Sequence, residues 1–166
     1  MSGGSTGGTG PSDEDLLALE RHASTLADGI EAAIAPWVER CVTATIEARR
    51  GLVTGVVRER ARVAGLEATE AVAPRVRALL ALDIDDQRTG PLALVRDAVP
   101  FPTAVLLEAG VPPADRDAEA VALFPDDLYD LTPASFADLD PSLQEPGLVW
   151  GAAKAHVHLA RRRGRG

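Results

Sequence analysis

Apolar residues recur at alternating spacings of three and four near the start of the chain, and this pattern constrains the fold more than any other feature. The residues of the series are Leu16, Leu19, Ala23, Leu26, Ile30, Ala33, Trp37 and Cys41. Such spacing places them on one stripe of an α-helix, with charged residues away from it. Because Ser12 followed by Asp15 is typical of a helix N-terminus, we predict a helix from Asp13 to Arg50.

A second helical segment follows the first. Pro36 lies inside the first series, and because no N-cap residue precedes it we expect a kink rather than a break. Gly51 and Gly55 then bracket a turn. The second helical segment is predicted from about Leu52 to Leu82, with these apolar residues facing inward: Val53, Val56, Val57, Ala61, Ala64, Ala68, Val72, Val76, Leu79 and Leu80. Two such segments predict an antiparallel helical hairpin.

The predicted first helix is long for a chain of 166 residues. At ~1.5 Å per residue it extends about 57 Å, whereas the radius of gyration of a folded chain of this size is about 15 Å. One end of the helix would therefore extend beyond the fold or pair with a second copy. We expect a homodimer formed through the hairpin.

The composition changes after Asp83. Nine of the twelve prolines and five of the six aromatic residues lie beyond this point. Such a composition predicts short helices joined by tight corners. We expect helical starts at Pro113, Thr132 and Asp140, and a final helix from Gly147 to Arg163.

The sequence therefore predicts an all-α protein, with no signal for a β-hairpin. Its predicted parts are a disordered tail at residues 1–12, a long kinked helical hairpin at 13–82, a compact module of short proline-cornered helices at 83–163, and a basic tail end at 164–166.

Apolar run length and cysteine content exclude several classes of protein. A transmembrane helix needs about twenty apolar residues, and the uncharged stretches of this chain are too short for one. The single Cys41 cannot form an internal disulfide or a multi-cysteine zinc site. The first residues lack the basic and apolar regions of a secretory signal. We expect a cytoplasmic protein without a membrane partner.

The net charge of −8 is concentrated in one segment of the chain. Residues 111–146 contain nine acidic residues and a single base, Arg116. Because like charge repels a nucleic-acid backbone, this segment is not a nucleic-acid surface. The arginines near the hairpin turn lack neighbouring aromatic residues for base stacking, so nucleic acid is not an expected partner. The arginines in question are Arg49, Arg50, Arg58, Arg60 and Arg62.

The acidic segment also contains aromatic residues. An apolar anchor surrounded by charge is a common arrangement in recognition patches. The predicted partner-binding residues are Phe124, Asp126, Asp127, Tyr129, Asp130 and Phe136. A protein–protein interaction adapter or regulatory subunit, with no catalytic residue and no cofactor, is therefore the favoured function. The aromatic residues could instead form the core of the C-terminal module, and this alternative stays open.

The spacing of Asp126, Asp127 and Asp130 permits a second interpretation. On a helix, a D-D-x-x-D pattern brings carboxylates within reach of one another, so that they can hold Mg²⁺ with a pyrophosphate. The alternative function is a small Mg²⁺-dependent all-α phosphohydrolase that uses these aspartates as metal ligands, with Glu67 and Glu70 as further acidic residues.

Three stretches in the second half of the chain carry a resemblance to other proteins. They are Asp85–Arg88, Phe124–Asp138 and Glu145–Lys154. Over about residues 83–163 the chain resembles a family of small actinobacterial proteins with no assigned function. The resemblance implies a bacterial, cytoplasmic protein, and it implies no activity and no site residue.

Overall fold

Seven α-helices make up the part of the chain that the structure describes. The structure, a computed structural model, describes residues 10–81, 90–113 and 115–166. The helices are α1 Asp13–Arg50, α2 Gly55–Ala81, α3 Pro91–Val95, α4 Pro100–Glu108, α5 Ala118–Leu123, α6 Phe136–Leu139 and α7 Gln144–Gly164, with 3₁₀ turns at Arg96–Ala98 and Pro141–Leu143. These ranges contain no strand, which confirms the all-α prediction.

Some predictions concern residues that the structure does not describe. Most of the predicted tail (1–9), the junction between hairpin and module (82–89) and the Asp85–Arg88 stretch lie outside the described residues. Of the helices that the structure does describe, none combines the length and the apolar character that crossing a membrane requires.

Both ends of α1 are closed by local interactions. The hydroxyl of Ser12 accepts a hydrogen bond from the backbone N–H of Asp15, and the Asp15 carboxylate accepts one from the N–H of Ser12. This reciprocal cap satisfies two N–H groups that lack partners within the helix. At the other end Gly51 has a φ of 75°, a left-handed conformation that favours glycine. Pro36 lies inside the helix without ending it, as predicted.

The helices α1 and α2 form the hairpin by packing large side chains against small ones. The buried residues of α1 include Leu26, Ile30, Ile34, Val38 and Val42, and those of α2 are mostly Ala and Val. A Cβ atom at Gly65 of α2 would lie 3.0 Å from the Cα and carbonyl oxygen of Ala35, so glycine is what allows the two backbones to approach here. Val56, predicted to face inward, is 75% exposed because it lies in the first turn of α2, beside an open cleft.

The short helices of the module pack onto the hairpin. The helix α4 contacts both α1 and α2, and α3 contacts α2. Val95, Leu106, Leu139 and Leu143 are buried in the same cluster as the apolar residues of the hairpin. The hairpin and the module therefore share one hydrophobic core.

The helix α7 packs along α1 and reaches its N-terminal turns. Leu19 and Val157 form a second small cluster, and the imidazole Nε2 of His156 lies 3.4 Å from the carboxylate of Asp15. The end of α1 that was expected to extend beyond the fold is thus covered by α7. The length of α1 gives no support to a second copy, and the hairpin-mediated homodimer stays a prediction.

Two predicted helix starts in the module are wrong. No helix begins at Pro113; α5 begins after Asp117, whose carboxylate accepts a hydrogen bond from the N–H of Ala120 at 2.7 Å. No helix begins at Thr132 either, because Ser135 provides the N-cap of α6. In both cases a side chain closer to the helix supplies the capping acceptor.

The other two predicted helix starts in the module are closer to the structure. The carboxylate of Asp140 accepts a hydrogen bond from the N–H of Ser142 and caps the 3₁₀ turn, as expected. The final helix begins at Gln144, directly after this turn, rather than at Gly147. Pro146 is accommodated in its first turn, where a backbone N–H has no partner within the helix.

Candidate interaction surface

The predicted partner-binding residues lie mainly in a loop. Helix α5 ends at Leu123, and no helix forms before α6 begins at Phe136. We call residues 124–132 the acidic loop. Because this loop is not helical, the helical spacing that was expected to bring its three aspartates together does not apply.

Arg116 holds the acidic loop through backbone carbonyls. Its guanidinium donates hydrogen bonds to the carbonyl oxygens of Ala120 at 2.6 Å, Phe124 at 2.5 Å and Asp127 at 2.7 Å. The first two carbonyls lie at the C-terminal end of α5, where a positive charge is favoured. In the sequence, Arg116 stands out only as the single base of residues 111–146. That isolation was the available signal for its role.

Tyr129 fixes the other half of the loop. Its side chain is 1% exposed, and its hydroxyl donates a hydrogen bond to the carbonyl oxygen of Val111 at 2.5 Å. Burial raises the pKa of Tyr129 above its usual value. Tyr129 is therefore not an exposed anchor, and its contact with a partner stays a prediction. The ring is buried in the core, and its hydroxyl supplies a hydrogen-bond donor to the carbonyl of Val111, which is itself buried.

The two phenylalanines of the predicted surface are half-buried and engaged within the chain. The guanidinium carbon of Arg96 lies 4.2 Å from the centre of the Phe124 ring, which is a cation–π arrangement. The ring of Phe136 packs against Gly147 so closely that an added Cβ would lie 2.5 Å from its Cδ2. Phe136 also packs against the main core. Tyr129 and Phe136 therefore fit the alternative in which the aromatic residues form part of the core, rather than the one in which they are exposed anchors.

The three aspartates of the loop occupy different environments. The Asp127 side chain is 10% exposed, lies 3.7 Å from Arg96 and accepts a hydrogen bond from Thr132. Asp126 and Asp130 are exposed to solvent. In the described ranges no three His, Cys, Asp or Glu side chains are grouped so that they could hold a metal ion. The structure thus does not assemble the predicted Mg²⁺ site from Asp126, Asp127 and Asp130.

The two glutamates of the Mg²⁺ interpretation lie on α2, away from the acidic loop. Glu67 lines a separate cleft between α2 and α4, and Glu70 is exposed.

The acidic loop forms one wall of an open cleft of about 390 Å³. Asp126, Asp127 and Leu128 line this side, and α3, the following 3₁₀ turn and the start of α4 line the other. Leu128 is 43% exposed. On the opposite wall, the Asp97 carboxylate is paired with Arg75 at 2.6 Å. The cleft therefore combines apolar residues with four charged ones, Arg96, Asp97, Asp126 and Asp127.

The arginines near the hairpin turn hold the segment that precedes the loop. Arg49 donates to the carbonyl oxygen of Pro112 at 2.8 Å, and Arg50 donates to those of Ala109 at 3.0 Å and Gly110 at 2.5 Å. These bonds close the C-terminal end of α4 and position the segment that includes Val111. The acidic loop is thereby linked, through Tyr129, to the end of α1.

No family model, no curated protein and no solved structure matches this chain. The functional proposal therefore depends on the geometry of the surface.

Proposed function

We propose that the chain is a cytoplasmic adapter or regulatory subunit that binds a basic segment of a partner protein at the cleft beside the acidic loop. The observation that carries the proposal is the cleft of about 390 Å³, which the exposed Leu128 lines together with the exposed carboxylate of Asp126 and the paired carboxylates of Asp97 and Asp127. This volume is at the lower end of the range for ligand sites and suits one or two inserted side chains.

The residues of the cleft suggest the chemistry of the partner. An apolar side chain of the partner would pack between Leu128 and Pro100, which line the two walls and are both exposed. A neighbouring Lys or Arg would lie near Asp126 and Asp130, because Asp127 already has Arg96 as its partner. An apolar centre with charges at its edge is the usual arrangement of a small interface. The net charge of −8 would accelerate the encounter with a basic partner at low salt.

The fixed backbone of the loop supports the same proposal. A flexible loop loses conformational entropy when it binds, whereas a loop already held in place loses less. Arg116 and Tyr129 hold the acidic loop from behind and leave Asp126, Leu128 and Asp130 exposed. Binding would therefore require little rearrangement on this side of the interface.

The test is capture of partners from native cells with three baits at equal concentration. The first bait is the unchanged protein, and the second carries Asp126→Asn and Asp130→Asn. The third is a matched control, Glu20→Gln with Glu70→Gln, which removes two charges from exposed positions on the hairpin. We expect a protein that the first and third baits retain, that the second loses, and that elutes as salt is raised. Equal recovery with all three baits would contradict the proposed site.

A purified partner then permits a direct measurement. Leu128→Ser should weaken binding by about tenfold or more if the apolar contact is central to the interface. The control is Leu66→Ser on α2, where the leucine is 50% exposed. A similar loss with both variants would show that the cleft is not the binding site.

A further inference from the structure

The outer face of α7 carries a stripe of residues that the proposed function does not use. The members of this α7 stripe recur at spacings of three and four, and all are exposed: Glu145, Leu148, Ala152, Ala155, Leu159 and Arg162. Leu148 is 69% exposed and Leu159 is 50% exposed. At about 100° per residue, the stripe lies about 180° from Val157, which α7 buries against α1. It therefore points away from the rest of the fold.

The stripe reads the same in both directions along the helix. Its spacings are three, four, three, four, three, and its apolar centre is Leu, Ala, Ala, Leu. In an antiparallel pair of such helices, each leucine lies opposite a leucine and each alanine opposite an alanine. The acidic end of one helix, at Glu145, then lies opposite the basic end of the other, at Arg162. Spacing and charge are thus both self-complementary.

We infer that two copies of the chain associate through antiparallel packing of their α7 helices. The two alanines at the centre allow the helix backbones to approach closely, and Leu148 and Leu159 fill the space on either side of them. A parallel pair would place Glu145 against its own copy and Arg162 against its own copy, so charge selects the antiparallel arrangement. This dimer uses a different surface from the hairpin, and it does not depend on the cleft.

The dimension of the stripe indicates a weak dimer. Eighteen residues of helix extend about 27 Å, and one pair of helices of this length buries less than the roughly 1,200 Å² at which standard interfaces begin. We therefore expect a dissociation constant of roughly 10–100 μM, governed by the two leucines at its core.

Sedimentation velocity between about 5 and about 500 μM tests the inference, because this range spans the expected constant. The unchanged protein should convert from monomer to dimer, whereas Leu148→Ser with Leu159→Ser should stay monomeric throughout. The control is Leu66→Ser, since Leu66 and Leu159 are each 50% exposed. It should dimerise like the unchanged protein. A monomer at every concentration, or a dimer that the double variant retains, would overturn the inference.

Charge reversal tests the antiparallel order independently. Glu145→Arg places like charges opposite each other and should weaken the dimer by about tenfold. Adding Arg162→Glu restores opposite charges across the pair and should return the dissociation constant to near its original value. Both changes oppose the dipole of α7, so the double variant should melt at a lower temperature even while it dimerises. Failure of the second change to restore dimerisation would exclude the antiparallel pair.

Discussion

Tyr129→Phe separates the role that the structure gives this residue from the role in partner binding that the sequence indicated. The change removes only the hydroxyl that donates to the Val111 carbonyl, and it creates no cavity. Leaving a buried acceptor without a donor costs about 1–3 kcal/mol. For a chain of this length each kcal/mol lowers the melting temperature by about 2–4 °C, so we expect a decrease of about 4–8 °C for a central value of 2 kcal/mol.

Urea unfolding monitored by circular dichroism measures the effect as a free energy. Leu128→Ala is the control, because it lies in the same loop but is 43% exposed; it should change stability by less than about 0.5 kcal/mol. Tyr129→Phe with unchanged stability would refute the assigned role of the hydroxyl. Lost partner binding without lost stability would restore the role first predicted from the sequence.

The same residue gives a dependence on pH. The chain contains one tyrosine, so ultraviolet absorbance of phenolate reports Tyr129 alone. Because burial raises the pKa of Tyr129 in the folded state, its neutral form stabilises the fold. This stabilisation is complete below the unfolded pKa of about 10 and is lost as the pH rises through the folded pKa. Tyr129→Phe should lack this alkaline loss.

Three further predictions concern a pair of glycines, Cys41 and a pair of aspartates. Gly65→Ala should lower the free energy of unfolding by about 1 kcal/mol, because overpacking against α1 outweighs the gain in helix propensity. Gly151→Ala should raise the free energy of unfolding by up to about 1 kcal/mol, because an added Cβ meets nothing within 4 Å. Shifts in melting temperature of the same sign for the two glycine variants would contradict this reasoning. Partial burial raises the pKa of Cys41 to about 12, so a disulfide reagent should label it roughly 30-fold more slowly in native than in urea-unfolded protein. Comparable rates in the two states would argue against a shielded thiol. Asp127→Asn should lower the free energy of unfolding, measured by chemical denaturation, by about 1 kcal/mol, because Arg96 and Thr132 hold this carboxylate. Asp126→Asn should lower it by less than about 0.5 kcal/mol. Equal losses would contradict the different environments of the two aspartates.

The helices of the hairpin could be predicted because their signals are local. Apolar spacing, the Ser12 cap and Gly51 each act within one or two turns. The same kind of cap was present at Ser135, where Asp138 follows three residues later and completes a reciprocal pair. Thr132 competes with this signal, because its following proline is also typical of a helix start. The error therefore arose from competition between two local patterns.

The candidate surface was harder to predict because its geometry depends on contacts between distant residues. The acceptor for Tyr129 is Val111, 18 residues away in the chain, and no spacing rule connects the two. The sequence located the acidic loop but could not show which of its residues face inward. Asp126 and Asp127 are adjacent in sequence, yet one is exposed and the other is held by Arg96.

The way in which Arg116 holds the acidic loop has a consequence for the evolution of this surface. Its partners are backbone carbonyls, which are present whatever side chain a position carries. Exposed positions such as 126, 128 and 130 can therefore change identity while these bonds remain. A collection of variants at these three positions would share one loop shape and differ only in what that shape recognises, which makes the loop a natural scaffold for selecting new binding specificities.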